Sequence, residues 1–436
     1  MTVNTIHVKT GKEDIKIASG LGNRIIDFTS TNTNQTLEKP LWLNRDFYNL
    51  EYQPVLVDLF RLATSVFIID KTIPRIEAYD RWTRDIELNL PVSDPSMWYE
   101  NTNLIVRFLS FLTGDHWKVL FTQDESTQPQ KDKQLTKKGH KLDVKSVSLF
   151  SGGLDSFIGV IDQIVDTESV AMIAHYDQGQ VSKVQKLLHA SLVSQFPSAK
   201  VELLQFFVQP LATSENTMRS RSLLFLSLGS IVASSIGVKE LIVPENGFIS
   251  LNVPLTYNRL GSLSTRTTHP NTLNLFNRLL QNLRIGVLVS DPYKFKTKGE
   301  MLSDSKSLEY LVSVANETMS CAHANVGIYQ HLPPNRHCGY CLPCLIRRAA
   351  FHRVGLDDPK HYTFDVLDLD FLEQDSSKTS DLRAVLHSIE SHKTNSTLTN
   401  ILKTGPIFPI NDLENFCKIY NMGILELESF LSVYKD

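Results

Sequence analysis

The sequence predicts an α/β protein: a parallel sheet with helices on both faces, carrying an N-terminal α+β unit and a helical C-terminal region. Three observations predict it. From Val144, the strand-like runs "VSLF", "SVAMIAHY", "VELLQFFV" and "KELIVPE" alternate with the helix-like runs "SFIGVIDQIV", "VSKVQKLLHASLVSQF" and "RSLLFLSLGSIVASSIG". Such alternation builds a parallel sheet through right-handed crossovers. The 436 residues exceed what one ordinary core organises, so two or three domains are expected. Beyond Asp357 the apolar spacing is mostly helical.

In chain order, residues 1–124 form the first unit. "IHVKT" and "IKIASG" read as the strands of a hairpin. "PVLVDLFRLATSVFIID" has helical spacing, "DIELNLPV" reads as a strand, "TNLIVRFLSFLTG" as a helix stopped by Gly114, and "WKVLFTQ" as a closing strand. Residues 125–143, polar and without periodicity, read as a linker. Residues 144–356 hold the alternating segment, a further helix "HPNTLNLFNRLLQNLRIG" and a cysteine cluster. Residues 357–436 supply "LRAVLHSIESHK", "LTNILKTG", "LENFCKIYN" and "LELESFLSVY", all helical in spacing. Trp82, Arg84 and Trp117 in the first unit are most simply core or interface residues.

Composition excludes several classes. Hydrophobic content of 42% and charged content of 21% are those of a soluble globular protein. A net charge of -3 supplies no long-range positive field, which weighs against nucleic acid as a partner. No apolar run reaches membrane-spanning length, and "MTVNTIHVKTGKEDIKI" lacks a signal-peptide core. The five cysteines are odd in number, with Cys338, Cys341 and Cys344 packed into seven residues. That usage points to metal binding in a reducing, cytoplasmic setting rather than to a disulfide framework.

The stretch "SVSLFSGGLDSFIGV" places "SGGLDS", Ser151 to Ser156, between a strand and a helix. Gly152 and Gly153 permit a tight turn and bring N–H groups close to an anion where a Cβ would obstruct. The helix beginning near Asp155 adds its positive end, and Ser151 and Ser156 add hydroxyls. The loop therefore reads as a phosphate site. Asp155 fits an anion site when a cation bridges it, so Mg²⁺ is expected with the phosphates. No lysine follows the second glycine, so the loop is not of the Walker type.

"SGGLDS" resembles the pyrophosphate loop of the N-type ATP pyrophosphatases, which cleave ATP to AMP and pyrophosphate while adenylating a substrate. The resemblance implies a Rossmann-like, adenine nucleotide alpha hydrolase-like sheet and a nucleotide held along Phe150, Ser151, Gly152, Gly153, Leu154, Asp155 and Ser156. Within that family, "AHYDQGQ" is similar to the "FDYGQ" of the 7-cyano-7-deazaguanine synthase (QueC-like) branch, which maps Tyr176, Asp177, Gly179 and Gln180 onto the adenine and ribose side. "MRSRSLLFL" resembles the branch's "GRN", implying Arg221 as a phosphate contact. "FKTKGEM" resembles its "TKAE", implying that Lys298 neutralises pyrophosphate and that Glu300 caps or pairs with it. Ser151, Asp155, Ser156 and Lys298 are then the catalytic candidates.

Cys338, Cys341 and Cys344 have C-x₂-C-x₂-C spacing, with Cys321 upstream. Four thiolates around one tetrahedral ion leave no open position, so Zn²⁺ there would be structural. An iron–sulfur cluster suits the same ligands. The synthase branch has a similar "CGxCxxC". The longer gap in this chain leaves His331 or His337 as substitutes for Cys321.

The resemblance departs after the fourth strand, where the branch's "YPDCR" is replaced by "PENGFISLNVPLTYNRLGSLSTRTTHP". Glu245 and Asn246 stand where a carboxylate and an amide would read a purine-like edge. Arg259, Arg266 and His269 are donors suited to a carboxylate or acyl phosphate. The segments "DRWTRDIELNLPV" and "LSFLTGDHW" resemble QueC-like proteins of anti-phage defence operons, the QatC type in particular. The resemblance implies an ATP-dependent ligase that adenylates a carboxylate, 7-carboxy-7-deazaguanine or a related deazapurine. Its acceptor would be ammonia or an amine of a protein partner from the same operon. A tRNA-modifying enzyme and a non-catalytic ATP-binding scaffold are the alternatives.

Overall fold

The computed structural model describes residues 3–11, 22–29, 37–126, 140–177, 179–210, 212–255, 266–332, 336–368, 370–371, 376–394 and 396–434. The first unit contains β1 (Asn4–Lys9), β2 (Asn23–Asp27), α1 (Lys39–Tyr48), α2 (Pro54–Thr72), β3 (Asp85–Val92), α3 (Pro95–Glu100), α4 (Thr102–Thr113) and β4 (His116–Gln123). Its four strands lie in the order β2-β1-β3-β4, and every neighbouring pair is parallel. The expected N-terminal hairpin is therefore corrected: Thr5 pairs with Asn23 and Lys9 with Asp27 in parallel. Parallel neighbours need a long crossover rather than a tight turn. "IKIASG" lies outside the described residues. β3 buries alternate residues, Ile86, Leu88, Leu90 and Val92, on the face covered by helices. α2 begins with Pro54 at its first position. It is buried nearly all round, as a helix packed between two layers must be.

The central region contains β5 (Ser146–Leu149), α5 (Leu154–Thr167), β6 (Ser169–Tyr176), α6 (Gly179–Gln195), β7 (Lys200–Phe207), α7 (Arg221–Ser235), β8 (Glu240–Ile242), α8 (Gly247–Leu251), α9 (Pro270–Asn282), β9 (Leu288–Ser290), α10 (Lys298–Ser303) and α11 (Leu308–Val314). Its sheet has the order β7-β6-β5-β8-β9, all parallel. β5 is buried at every residue, as a strand with helices on both faces should be. The order reverses between β5 and β8, so the loops after these strands open a crevice at their C-terminal ends. The short β9 was not legible as a strand.

α12 (Leu342–Arg353), α13 (Ser376–His392), α14 (Thr397–Leu402) and α15 (Leu413–Phe430) complete the chain. They share a core with α8 and with Cys338, Cys341 and Cys344. A second core lies beneath α5 and α6 and reaches α10 and α11. The third joins the first unit to the central sheet: Phe60, Phe67 and Phe108 belong to the same cluster as Leu149, Leu228 and Phe276.

Polar contacts fix that seam. The C-terminal carbonyls of α4 receive three guanidiniums: Arg266 on Phe111 O at 2.5 Å, Arg219 on Thr113 O at 2.9 Å and Arg75 on Thr113 O at 3.0 Å. The negative end of a helix dipole favours this arrangement. Arg84, 1% exposed, pairs with Asp70 at 2.7 Å and Asp115 at 2.6 Å. Trp82 lies beneath Arg75 and Arg219, and Trp117 donates its ring N–H to Thr113 Oγ1. Among the described residues, no helix is long and apolar enough to cross a membrane.

Candidate active site

The "SGGLDS" turn follows β5 and opens α5, as expected. Gly152 has φ +89°, a backbone conformation costly to any residue with a Cβ. The Gly153 N–H donates to Ser151 Oγ at 3.2 Å, and the Leu154 N–H donates to Ser320 Oγ at 3.2 Å. Two amides at the positive end of α5 thus rest on hydroxyls that an incoming phosphate oxygen can replace. Ser156 Oγ donates to Gly153 O at 2.9 Å and lies 3.1 Å from Ser151 Oγ. Phe150 and Leu154 are fully buried and anchor the turn.

Asp155 is the centre of a buried polar cluster. Lys298 Nζ reaches its Oδ1 at 2.6 Å, and Asn246 Nδ2 reaches its Oδ2 at 2.7 Å. Burial alone would push this carboxyl up. The Lys298 ammonium, with hydrogen bonds from Glu245, Lys298 and Asn246, instead holds it below the ordinary Asp value. Glu245, at the end of the β8 segment, moves the opposite way. Burial first, then the Asp155 charge and a hydrogen bond to it, push Glu245 well above its ordinary value. The two neighbouring carboxyls are thus shifted in opposite directions. Asp291, just past β9, is also pushed well above its ordinary value, by burial first and with the Asp155 charge adding to it. Its Oδ2 is buried with no partner among the described residues. Asp155 and Glu245 thus share the influence of Lys298, while Lys294 is the lysine that acts on Asp291.

This geometry changes two expectations, for Lys298 and Asn246, and selects the capping role for Glu300. Lys298 is engaged by Asp155 rather than standing free for pyrophosphate. Asn246 donates to Asp155 and accepts from the Ile249 N–H at 3.0 Å, so both ends of its amide are occupied. Glu300 completes a capping box with Thr297, and so serves as a cap.

On the other side of the loop, Gln185 donates to both Ser151 O (3.4 Å) and His175 O (3.3 Å). Arg221, the first residue of α7, donates to His175 Nδ1 and His175 O, each at 3.1 Å. The other ring nitrogen, Nε2, lies 3.0 Å from Val208 O. Burial, reinforced by the Arg221 charge, pushes His175 down to about 3. The neutral ring therefore accepts from Arg221 at Nδ1 and donates to Val208 from Nε2. Burial lowers the Arg221 value and the Asp177 charge opposes this. Tyr176 is half-buried, its ring centre 5.3 Å from that of Phe207. Gln180 accepts from Asn325 at 3.1 Å.

Arg266 and His269 are engaged elsewhere. Arg266 lies on the Phe111 ring and carbonyl. His269 is fully buried. Its Nδ1 accepts the Asn271 N–H, and its Nε2 lies 2.9 Å from Thr404 Oγ1. That makes it the cap of α9, with both ring nitrogens occupied. Arg259 lies outside the described residues.

The ligand atoms of Cys321, Cys338, Cys341 and Cys344 all lie within 4.8 Å of one another. Cys321 and Cys341 sulfurs are 3.9 Å apart, and those of Cys338 and Cys344 are 3.8 Å apart. Tetrahedral Zn–S bonds of about 2.3 Å require sulfurs about 3.8 Å apart, so the set fits one zinc ion. Cys321, rather than His331 or His337, closes it among the described residues. N–H groups of His323, Cys338 and Cys341 point at cysteine sulfurs at 3.2–3.3 Å. Gly339 has φ +91°, and a Cβ there would meet Phe364 O at 2.1 Å. The cluster is tied to the loop: Met319 donates to Gly152 O at 2.8 Å, and Ser320 adjoins Cys321.

Sequence reasoning missed Gln185, Asp291 and Ser320. Asp291 alone left a trace, as an acidic residue directly after the apolar run "GVLVS".

No protein-family model matches the chain. It is similar to the 7-cyano-7-deazaguanine synthase of Methanococcus vannielii, 24% identical over 241 residues covering 50% of this chain and 99% of the relative. The synthase of Methanococcus aeolicus gives the same figures. That of Brucella ovis is 34% identical over 71 residues, 16% of this chain and 25% of the relative.

Proposed function

We propose that this chain is an ATP-dependent, AMP-forming carbon–nitrogen ligase. The observation that carries this reading is the Ser151–Ser156 turn, with two α5 amides resting on replaceable hydroxyls beside the buried Asp155–Lys298 pair. Similarity to synthases that span half of the chain supports the same reading.

In the reaction, a carboxylate oxygen of the substrate attacks the α-phosphorus of ATP. The bond from that phosphorus to the bridging oxygen breaks, and pyrophosphate leaves into the amides of Gly153 and Leu154. These donors are fixed beforehand, so they stabilise developing charge without reorganising. An amine nitrogen then attacks the acyl carbon. AMP departs with the C–O electron pair, and the nitrogen gives up its proton. Ser151 and Ser156 hydroxyls turn from their mutual contact toward phosphate oxygens. Lys298 keeps Asp155 ionised and oriented.

Mg²⁺ takes hard oxygen donors, but both Asp155 oxygens are engaged by Lys298 and Asn246, so the ion would lie against the nucleotide phosphates. Bound there, the ion would neutralise phosphate charge. The substrate is a deazapurine carboxylate such as 7-carboxy-7-deazaguanine. The acceptor is ammonia or an amine of a protein partner in an anti-phage defence system, for which the first unit and the C-terminal helices provide additional surface.

The test is product analysis with α-labelled ATP, Mg²⁺, 7-carboxy-7-deazaguanine and ammonium. AMP and pyrophosphate should form in equal amounts, and Asp155→Asn should lower the rate by about a hundredfold or more. Release of ADP would overturn the reading. Co-expression with operon partners followed by intact-mass analysis distinguishes the acceptors: an unchanged partner mass leaves ammonia.

A further inference from the structure

A groove of about 680 Å³ lies at the outer edge of the central sheet, lined by α9, β9 and the segment leading into α15. That volume is in the range of clefts that enclose a ligand. Every residue from Gly286 to Asp291 lines it, a length of about 17 Å at strand rise, which matches about six extended residues. β9 is the edge strand, and its Val289 is already satisfied. The Asn277 side chain donates to Val289 O and accepts from the Val289 N–H, both at 2.8 Å. The edge is thereby closed to another strand at Val289, so an occupant must be held by side chains.

The lining has three characters. Asn274, Arg278 and Gln281 stand four and three residues apart on α9, which makes one polar stripe. Among the described residues neither the Asn274 amide nor the Gln281 amide has a hydrogen-bond partner. Each offers a donor and an acceptor, which is what a peptide backbone needs. Leu288 and Phe408, 56% and 43% exposed, add apolar surface. The charge is of one sign. Lys239 and Arg278 are exposed, and among the described residues neither forms an ion pair. The acids of the lining do not offset them. Asp412 is paired with Lys294 at 2.7 Å, and burial first holds Asp291 well above its ordinary value. In a chain of net charge -3 this local positive excess is complementary to an acidic partner.

We infer that this groove docks an extended, acidic segment of a partner protein, with its carboxylates on Lys239 and Arg278, its backbone on the α9 amides and an apolar side chain against Leu288 and Phe408. The Asp291 end of the groove is two strands from β5, about 10 Å across the sheet. A bound segment therefore lies beside the candidate active site without entering it. The docking surface stands whether or not the chain forms AMP.

The experiment uses the full chain, as wild type, as the double variant Lys239→Glu with Arg278→Glu, and as Leu288→Ser. All three substitutions fall on exposed side chains, so thermal midpoints should match and folding is not in question. Wild type is used to select from a displayed library of random octapeptides, and the selected peptides are measured by fluorescence anisotropy. They should be rich in Asp and Glu and bind the double variant about tenfold more weakly, with the difference shrinking in high salt. Peptides with lysine in place of those acids should bind the double variant and not wild type, and Leu288→Ser should weaken the acidic peptides without changing their salt dependence. Selection of no peptide, or of peptides whose affinities for all three chains agree within about twofold, overturns the proposal. So does sedimentation showing that wild type self-associates and the double variant does not, because a second copy of this chain would then occupy the groove.

Discussion

Asp155, Glu245 and Asp291 make the ligand-free site a source of instability at neutral pH. The Glu245 and Asp291 carboxyls lie above their ordinary values of 4.5 and 3.8. The folded chain thus holds protons that the unfolded chain releases. Their contribution to stability is full below those ordinary values and is lost as pH rises through the folded ones. Asp155, lowered by Lys298, behaves oppositely: its contribution is present above the ordinary Asp value and is lost in acid. Thermal unfolding without ligand should therefore show a higher midpoint near about pH 5.5 than near about pH 8, and Glu245→Gln should flatten that difference. An unchanged pH profile in Glu245→Gln would show that Glu245 does not set the difference. Gly152→Ala should cost about 1–2 kcal/mol through its left-handed backbone, measurable by denaturant unfolding. At this scale the sequence was informative about residue types and silent about partners. "SGGLDS" disclosed a phosphate turn, because glycine spacing determines turn geometry locally. That Lys298 meets Asp155, or that His269 meets Thr404, depends on residues 143 and 135 positions apart, and no local pattern encodes such distances.

The elements around the site act as clamps on the turn. The segment before Cys321 contributes the Ser320 hydroxyl and the Met319 N–H to the loop, so zinc retention and loop order are joined. Chelation of the zinc should speed amide exchange at Gly152–Leu154 before it unfolds α12, read by hydrogen–deuterium exchange. Ser320→Ala removes the competitor for the Leu154 amide and should tighten pyrophosphate binding by up to about fivefold, the equivalent of about 1 kcal/mol; weaker binding would make the hydroxyl a positioning group. Element type was largely legible, since apolar periodicity is local: α2, α4, β3 and the alternating central segments were read from spacing alone. Pairing direction was legible in the central sheet, where helices alternate with strands, but not in the first unit. β1 carries the same alternation whether its neighbour is parallel or antiparallel, and only the crossover decides. β9, three residues long, lacked the length for any period to register.

For the whole molecule, the consequence is cooperativity across the seam. Phe67 is fully buried in the core common to both sheets, its ring edge-on to His175 with centres 5.5 Å apart. Phe67→Ala should cost about 3–5 kcal/mol and weaken anion binding, while unfolding stays a single transition in calorimetry. Two separated transitions would mean that the units fold independently. The support from the far end of the chain has a further consequence. Glu426, on α15, accepts from Thr297 and from Arg353, fixing the start of the helix that opens with Lys298. During synthesis the turn at Ser151 emerges from the ribosome long before Glu426 does. A nascent chain therefore leaves the start of α10, and Lys298 with it, without the Glu426 support until α15 has been made.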